Sequence, residues 1–182
     1  HNYDFDPMWK KIVENYKNRR SVNMLSYNNG KWTFVLTQLG QNQLEVAIHN
    51  KAFPWESIEK HWKNGKYITQ LAYGDRWVVV MRNDPYSHQF VKVYEKDRWD
   101  QEDVDAQMKK GYAVTNVVKS GSNYVVVFTR GSGIKDQLMV WDEELPLRDI
   151  KGYWNKGWQS YRTFYIPRNI TINKGLYDFL DD

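Results

Sequence analysis

Ile12, Ile58, Val104 and Ile150 stand 46 residues apart, and this period constrains the fold more than any other feature of the chain. Four residues after each comes a large side chain: Tyr16, Trp62, Met108 and Trp154. Three further on, Gly65, Gly111 and Gly157 recur, with Arg19 in their place in the first copy. A fixed period of this length marks a chain built from one supersecondary unit used several times. The copies run approximately over 7–53, 54–98, 99–145 and 146–182, the last one partial, within a single repeat domain.

Each copy begins as a helix. Asp6-Pro7, Pro54 and Pro146 put proline near the first turn, where its missing N–H costs least. In the third copy Asp100, Glu102 and Asp103 set negative charge at the N-terminus, which suits the helix dipole. Trp55, Ile58 and Trp62 follow helical spacing, and the recurrent glycine supplies the positive φ at which a helix ends. The period then changes to that of strands. In the second copy Ile68 to Tyr73, Arg76 to Met81 and Gln89 to Tyr94 read as three strands, the first two joined by a tight Gly74-Asp75 turn. Asn29-Gly30 and Ser120-Gly121-Ser122 stand at the matching turns, and Trp32, Trp77 and Tyr124 open the second strands.

The unit is therefore helix, strand, strand, strand, and the fold class is a β-rich α+β repeat. The fourth copy retains strands near Tyr161 to Tyr165 and Ile170 to Ile172. Asn2 to Phe5, which precedes the first helix as Lys92 to Glu95 precedes the third, is placed to supply the strand the last copy lacks. Four units nearly fill the 182 residues, so a propeller-like ring is favoured, with an open twisted stack as the alternative.

The second copy carries Phe53-Pro54, Trp62, Gly65, Tyr67-Ile68-Thr69, Tyr73-Gly74, Trp77, Met81, Tyr86 and Gln89. The third supplies Gly131-Ser132-Gly133-Ile134 and Gln137, and the first retains Gly40 and Gln43. Over roughly residues 7 to 160 this pattern resembles a repeat region of unknown function. That region lies C-terminal to the kinase domain in plant casein-kinase-I-like proteins and has similar repeats in bacterial proteins. The resemblance implies no reaction and no catalytic residues. It implies a module that rides beside signalling domains.

Composition narrows the function classes. The net charge of +4 is spread thinly and changes sign along the chain, with 98–144 net acidic, so no basic stripe tracks a phosphate backbone and nucleic acid is disfavoured. With no cysteine there are no disulfides or thiolate sites, which leaves the compartment open. The longest apolar runs, such as Trp77 to Met81, are too short to span a membrane. The sequence opens on His1, which reads as a processed form or a piece of something longer.

The four histidines (His1, His49, His61 and His88) lack metal-ligand spacing, and the Asp100–Asp105 acids lack the calcium-loop pattern. No phosphate loop, dinucleotide fingerprint or nucleophile elbow is present, so no cofactor or catalytic set is implied. Trp62 and Trp77 are expected to pack between units rather than stack on a ligand. Gln43, Gln89 and Gln137, at the entry to the third strand, are expected to satisfy backbone groups. Binding is assigned to the loop before that strand, through Tyr86 and His88 in the second copy and Ile134 and Lys135 in the third. The chain reads as a non-catalytic binding or scaffold module for a protein partner. The alternative is a glycan- or small-ligand-binding domain using exposed aromatics.

Overall fold

A computed structural model describes residues 3–38, 45–134, 136–140, 151–153, 155–156, 158–166 and 169–174. Among these the chain is β-rich, with short helices set between antiparallel strands. It divides into two compact units, His1–Pro85 and Tyr86–Asp182.

The first unit opens with α1 (Phe5–Tyr16), followed by the hairpin β1 (Arg20–Asn28) and β2 (Lys31–Gln38). Then come β3 (Glu45–Asn50), α2 (Trp55–Lys63), β4 (Tyr67–Tyr73) and β5 (Trp77–Arg82). The sheet order is β3-β5-β4, so the strand before α2 joins the hairpin that follows it. In the second unit β6 (His88–Tyr94), α3 (Gln101–Lys109), β7 (Tyr112–Ser120) and β8 (Asn123–Arg130) form a sheet of order β6-β8-β7. β9 (Asp136–Val140), β10 (Trp158–Ile166) and β11 (Asn169–Lys174) repeat that connectivity as β10-β11-β9. The expected fourth-copy strands thus lie within β10 and β11. Pro146, Ile150, Trp154 and Gly157, expected on the fourth helix, lie outside the described residues, although 151–153 are helical.

This connectivity corrects the expected unit. The third strand of a copy does not close its own sheet but joins the next hairpin, so that among the described residues the last sheet already has three strands. The N-terminal residues complete the first sheet instead: Tyr3 bridges Trp32, with backbone N–H···O distances of 2.9 and 2.7 Å.

The helical expectations follow from packing. Ile12, Ile58 and Val104 are each fully buried. α1 sets Phe5, Met8 and Ile12 against Val22, Leu25 and Trp32 of its hairpin and against Ala72, Val78 and Val80 of the next sheet. In the second unit Val104 packs with Tyr94, Val114, Val117, Tyr124, Val126 and Phe128. The central strands β5 and β8 are buried at consecutive positions, Val78 to Met81 and Val125 to Phe128, so both of their faces are covered. Asp100 caps α3, its Oδ1 accepting the Asp103 N–H at 2.9 Å.

One periodic feature is invisible to a pattern of apolar residues. The first strand of each of the first three hairpins carries a β-bulge, after Val22, Ile68 and Val114, leaving Asn23, Thr69 and Thr115 as the extra residues. The bulges are 46 residues apart and the residue before each is buried. The turns also differ from expectation at one point. Asn29-Gly30 has positive φ at both residues (49° and 75°), as a two-residue hairpin turn requires. Gly74 is not such a residue: Tyr73 pairs with Trp77, so the connection is the three residues Gly74, Asp75 and Arg76. A Cβ on Gly74 would stand 2.5 Å from the Tyr27 ring, which makes close approach, not backbone freedom, the reason for glycine.

Candidate functional site

Three of the repeated aromatics are committed to the interior. Trp32 is 1% exposed, and Trp77 and Tyr124 are 5% exposed. Trp62 is half-buried on α2. Trp32 Nε1 also donates to Asp75 Oδ1 at 3.3 Å, tying the first hairpin to the second turn. The faces of Trp32, Trp77 and Tyr124 are therefore not open for stacking on a ligand.

The glutamines hold backbone and partner strands. Gln137, on β9, accepts the Val114 N–H through Oε1 and donates through Nε2 to the Val114 carbonyl, both at 2.7 Å. It therefore clamps β7 at the residue before its bulge. Gln89 is buried and donates to Thr129 Oγ1 at 2.8 Å. In the first copy the register corrects the expectation: Glu45 faces Arg82 as Gln89 faces Thr129, and Glu45 Oε1 accepts the Val22 N–H at 3.1 Å. The equivalent residue is therefore Glu45, and Gln43 lies outside the described residues.

Around Glu45 lies a partly buried polar cluster. Its Oε2 meets the Ser21 hydroxyl, and Arg82 Nη1 donates to Ser21 Oγ at 3.0 Å. Arg82 Nη2 reaches Asp84 at 3.5 Å. Among the described residues the buried Tyr16 hydroxyl and Arg82 Nε make no well-formed hydrogen bond. Burial raises the Glu45 pKa, against the pull of Ser21, Val22, Tyr16 and Arg82. Burial and the Glu45 charge push the Tyr16 phenol upward. The sequence signal for this cluster was the acid at a position held by amides in two other copies, visible only once the register is known.

Of the four expected binding residues, two gather at one place. His88, exposed at the start of β6, lies with Nδ1 3.0 Å from the Tyr112 hydroxyl. Tyr112 and Ile134 line a cleft of about 320 Å³ with Asp105, Met108, Lys109, Gly111, Ala113 and Gln137. Arg130 Cζ sits 4.4 Å from the centroid of the Tyr112 ring, and Phe90 meets that ring edge-on at 5.0 Å. Tyr86 is half-buried, and Lys135 lies outside the described residues. Sequence reasoning read Met108 only as a packing position on the third helix and did not single out Tyr112. Tyr112 follows the helix-ending glycine as Tyr67 nearly does, which was the available signal.

A broader depression of about 520 Å³ lies where β6 enters α3, lined by Tyr94, Arg98, Trp99, Asp100 and their neighbours. Its polar groups serve the helix start, with Asp100 as the cap and Trp99 Nε1 donating to Gln101 at 3.0 Å. Nearby, Asp103 accepts from Lys92 Nζ at 2.6 Å and from the Tyr94 hydroxyl at 2.5 Å. Partial burial works to raise the Asp103 pKa, and these bonds with that from Gln107 outweigh it, so the carboxyl lies below its ordinary range.

Among the described residues no group of three metal-ligating side chains occurs, and no helix is long and apolar enough to cross a membrane. No family model, curated protein or solved structure matches the chain. Among the described residues the chain is β-rich, built of antiparallel sheets, with a cleft lined by Ile134 that carries both Asp105 and Lys109.

Proposed function

We propose that this chain is a non-catalytic binding module that engages a protein partner through its inter-strand loops, with His88, Tyr112 and Ile134 at the contact. The carrying observation is a division of labour among side chains. Trp32, Trp77 and Tyr124 are used up in the cores, while the cleft beside Ile134 stays open next to the exposed His88. Tyr86 and Lys135 belong to the same pair of loops by sequence.

The same proposal includes the repeat architecture. Its unit is strand, helix and hairpin, supported by the common strand order of the three-stranded sheets and by bulges 46 residues apart. Ring and open stack remain the two arrangements of such units, and small-angle scattering separates them by maximum dimension. The resemblance to the region beside plant casein-kinase-I-like domains fits a module of this kind.

The test is capture from native extract by wild type and by a His88→Ala/Ile134→Ala variant of equal thermal stability. Proteins held by wild type and released by the variant support the reading. Capture that ignores the variant removes these residues from the contact. The glycan alternative rests on Trp55, which is 41% exposed beside Phe53. Those two rings are inclined at 57°, and so do not form the flat platform on which a sugar stacks.

A further inference from the structure

We propose that the cleft between α3 and β7 receives one large apolar side chain of a peptide that carries acidic residues on both sides of it. The inference rests on the binding-module reading and gives its partner a chemistry.

The size of the cleft sets the first limit. About 320 Å³ lies at the small end of ligand pockets, enough for one side chain and too little for a folded element. Its apolar lining is Met108, Ala113 and Ile134. Methionine adapts its shape to different apolar guests, which suits a site that accepts a side chain. Ile134 and Met108 are only half-buried, so part of this apolar surface faces solvent.

The edge of the cleft sets the second. Lys109, Lys110 and Arg130 are exposed at the end of α3 and the end of β8. Arg130 Nη2 donates to the Lys110 carbonyl at 2.7 Å, which holds the guanidinium near Gly111, a residue of the cleft lining. Gly111 has no side chain to screen it: a Cβ there would already stand 3.9 Å from Arg130 Nε. Among the described residues none of these three cations meets a carboxylate at ion-pair distance, whereas Lys92 and Lys119 of the same unit are each paired with an aspartate. The one acid in the lining, Asp105, takes a hydrogen bond from Gln101 Nε2 at 2.7 Å. A basic edge around an apolar floor is complementary to an acidic segment with an apolar anchor.

A nucleic acid fits less well. The aromatic ring at the cleft is Tyr112, and its face is covered by Arg130 while Phe90 meets it edge-on, so it offers no free platform for a base. His88, bonded to the Tyr112 hydroxyl, acts as a positioning residue for that ring.

The probes are labelled nonapeptides with a central Phe or Gly, flanked on both sides by Glu or by Lys, read by fluorescence anisotropy in low salt. The Glu-flanked Phe peptide is expected to bind at least about tenfold more tightly than either the Gly-centred or the Lys-flanked peptide. Lys109→Glu/Lys110→Glu, a surface change that leaves the fold intact, is expected to erase the preference for Glu, and Ile134→Asp the preference for Phe. The inference is overturned by no binding up to about 1 mM peptide, by equal binding of Phe and Gly centres, or by indifference to both variants. Tighter binding of a labelled oligouridylate, lost in the lysine variant, also overturns it. If the peptides fail while extract proteins are still released by the His88→Ala/Ile134→Ala variant, this chemistry falls and the module reading stands. If the peptides bind as expected and no extract protein is released, the cleft assignment holds and the reading of a loop-borne protein contact falls.

Discussion

Gln137 clamps the backbone of Val114 at two points, accepting its N–H and donating to its carbonyl at 2.7 Å each. At the equivalent register position Glu45 reaches Val22, but an ionised carboxylate accepts and cannot donate. One sheet junction is therefore held by an amide that suits both backbone groups. The other is held by an acid that suits one and must also lose water.

That contrast sets the outcome for Glu45→Gln. Burial raises the folded pKa of Glu45 above its ordinary value of 4.5. In the window above 4.5 the native state then binds more protons than the unfolded one, so this group makes stability fall as pH rises. Its favourable contribution is fully present below 4.5 and is lost as pH passes the folded pKa. The variant has no such titration. Urea unfolding at a series of pH values should give a difference in favour of Glu45→Gln that grows from about pH 4.5 and levels off once pH has passed the folded pKa of Glu45. A constant difference would show that Arg82 and Ser21 fully compensate the buried charge.

Arg19 occupies the place of Gly65 and Gly111 at the end of α1. It holds φ at +53°, a left-handed conformation that costs an L-residue about 1 kcal/mol. Its side chain is exposed, so nothing in the core opposes its removal. Arg19→Gly should raise stability by up to about 1 kcal/mol, and Arg19→Val should lower it, because a β-branched residue tolerates positive φ least. Chemical denaturation of the three proteins checks the order Gly, Arg, Val.

How far the sequence carried the fold is clear from these residues. The 46-residue spacing placed Ile12, Ile58 and Val104 on buried helix faces because a helix buries one stripe and a repeat reuses it. Which hairpin a third strand joins was not legible, since strand pairing is a long-range choice that alternation along one strand does not encode. The bulges were hidden for a related reason: an extra residue shifts side chains between faces without any marker residue. Gln43 was aligned where Glu45 belongs because the second copy is two residues shorter between its bulge and its third strand: Gln89 follows Ile68 by 21 residues, whereas Glu45 follows Val22 and Gln137 follows Val114 by 23. The cleft was half legible. Loop reasoning picked His88 and Ile134, and Tyr112, which joins them, lay on a strand whose neighbours were unknown.

Gly74 offers a test of the contact between hairpins. A Cβ there meets the Tyr27 ring at 2.5 Å, too close for any real side chain, and that ring also packs on Trp32 at a centroid distance of 4.9 Å. Gly74→Ala should cost about 1–3 kcal/mol, the usual range for overpacking. The cost should be much smaller in a Tyr27→Ala background, a coupling that a double-mutant cycle measures. Gly121→Ala is the control. It has open space around it, so it should cost only the backbone term of about 1 kcal/mol, independent of Tyr27.

Asp103 ties α3 to β6 by accepting from both Lys92 and Tyr94, and its folded pKa lies below the ordinary 3.8. A depressed acid stabilises the fold above its unfolded pKa and loses that contribution as pH falls through the folded value. Asp103→Asn keeps the size and removes the charge, leaving Lys92 without its ion pair. Because the site is only partly buried, the loss at neutral pH should be about 1 kcal/mol rather than the several expected of a buried pair. Thermal unfolding should show the wild-type advantage at neutral pH and its disappearance below the ordinary carboxylate range. An advantage that persists unchanged in strong acid would mean that the Asp103 side chain works through packing and not through its charge.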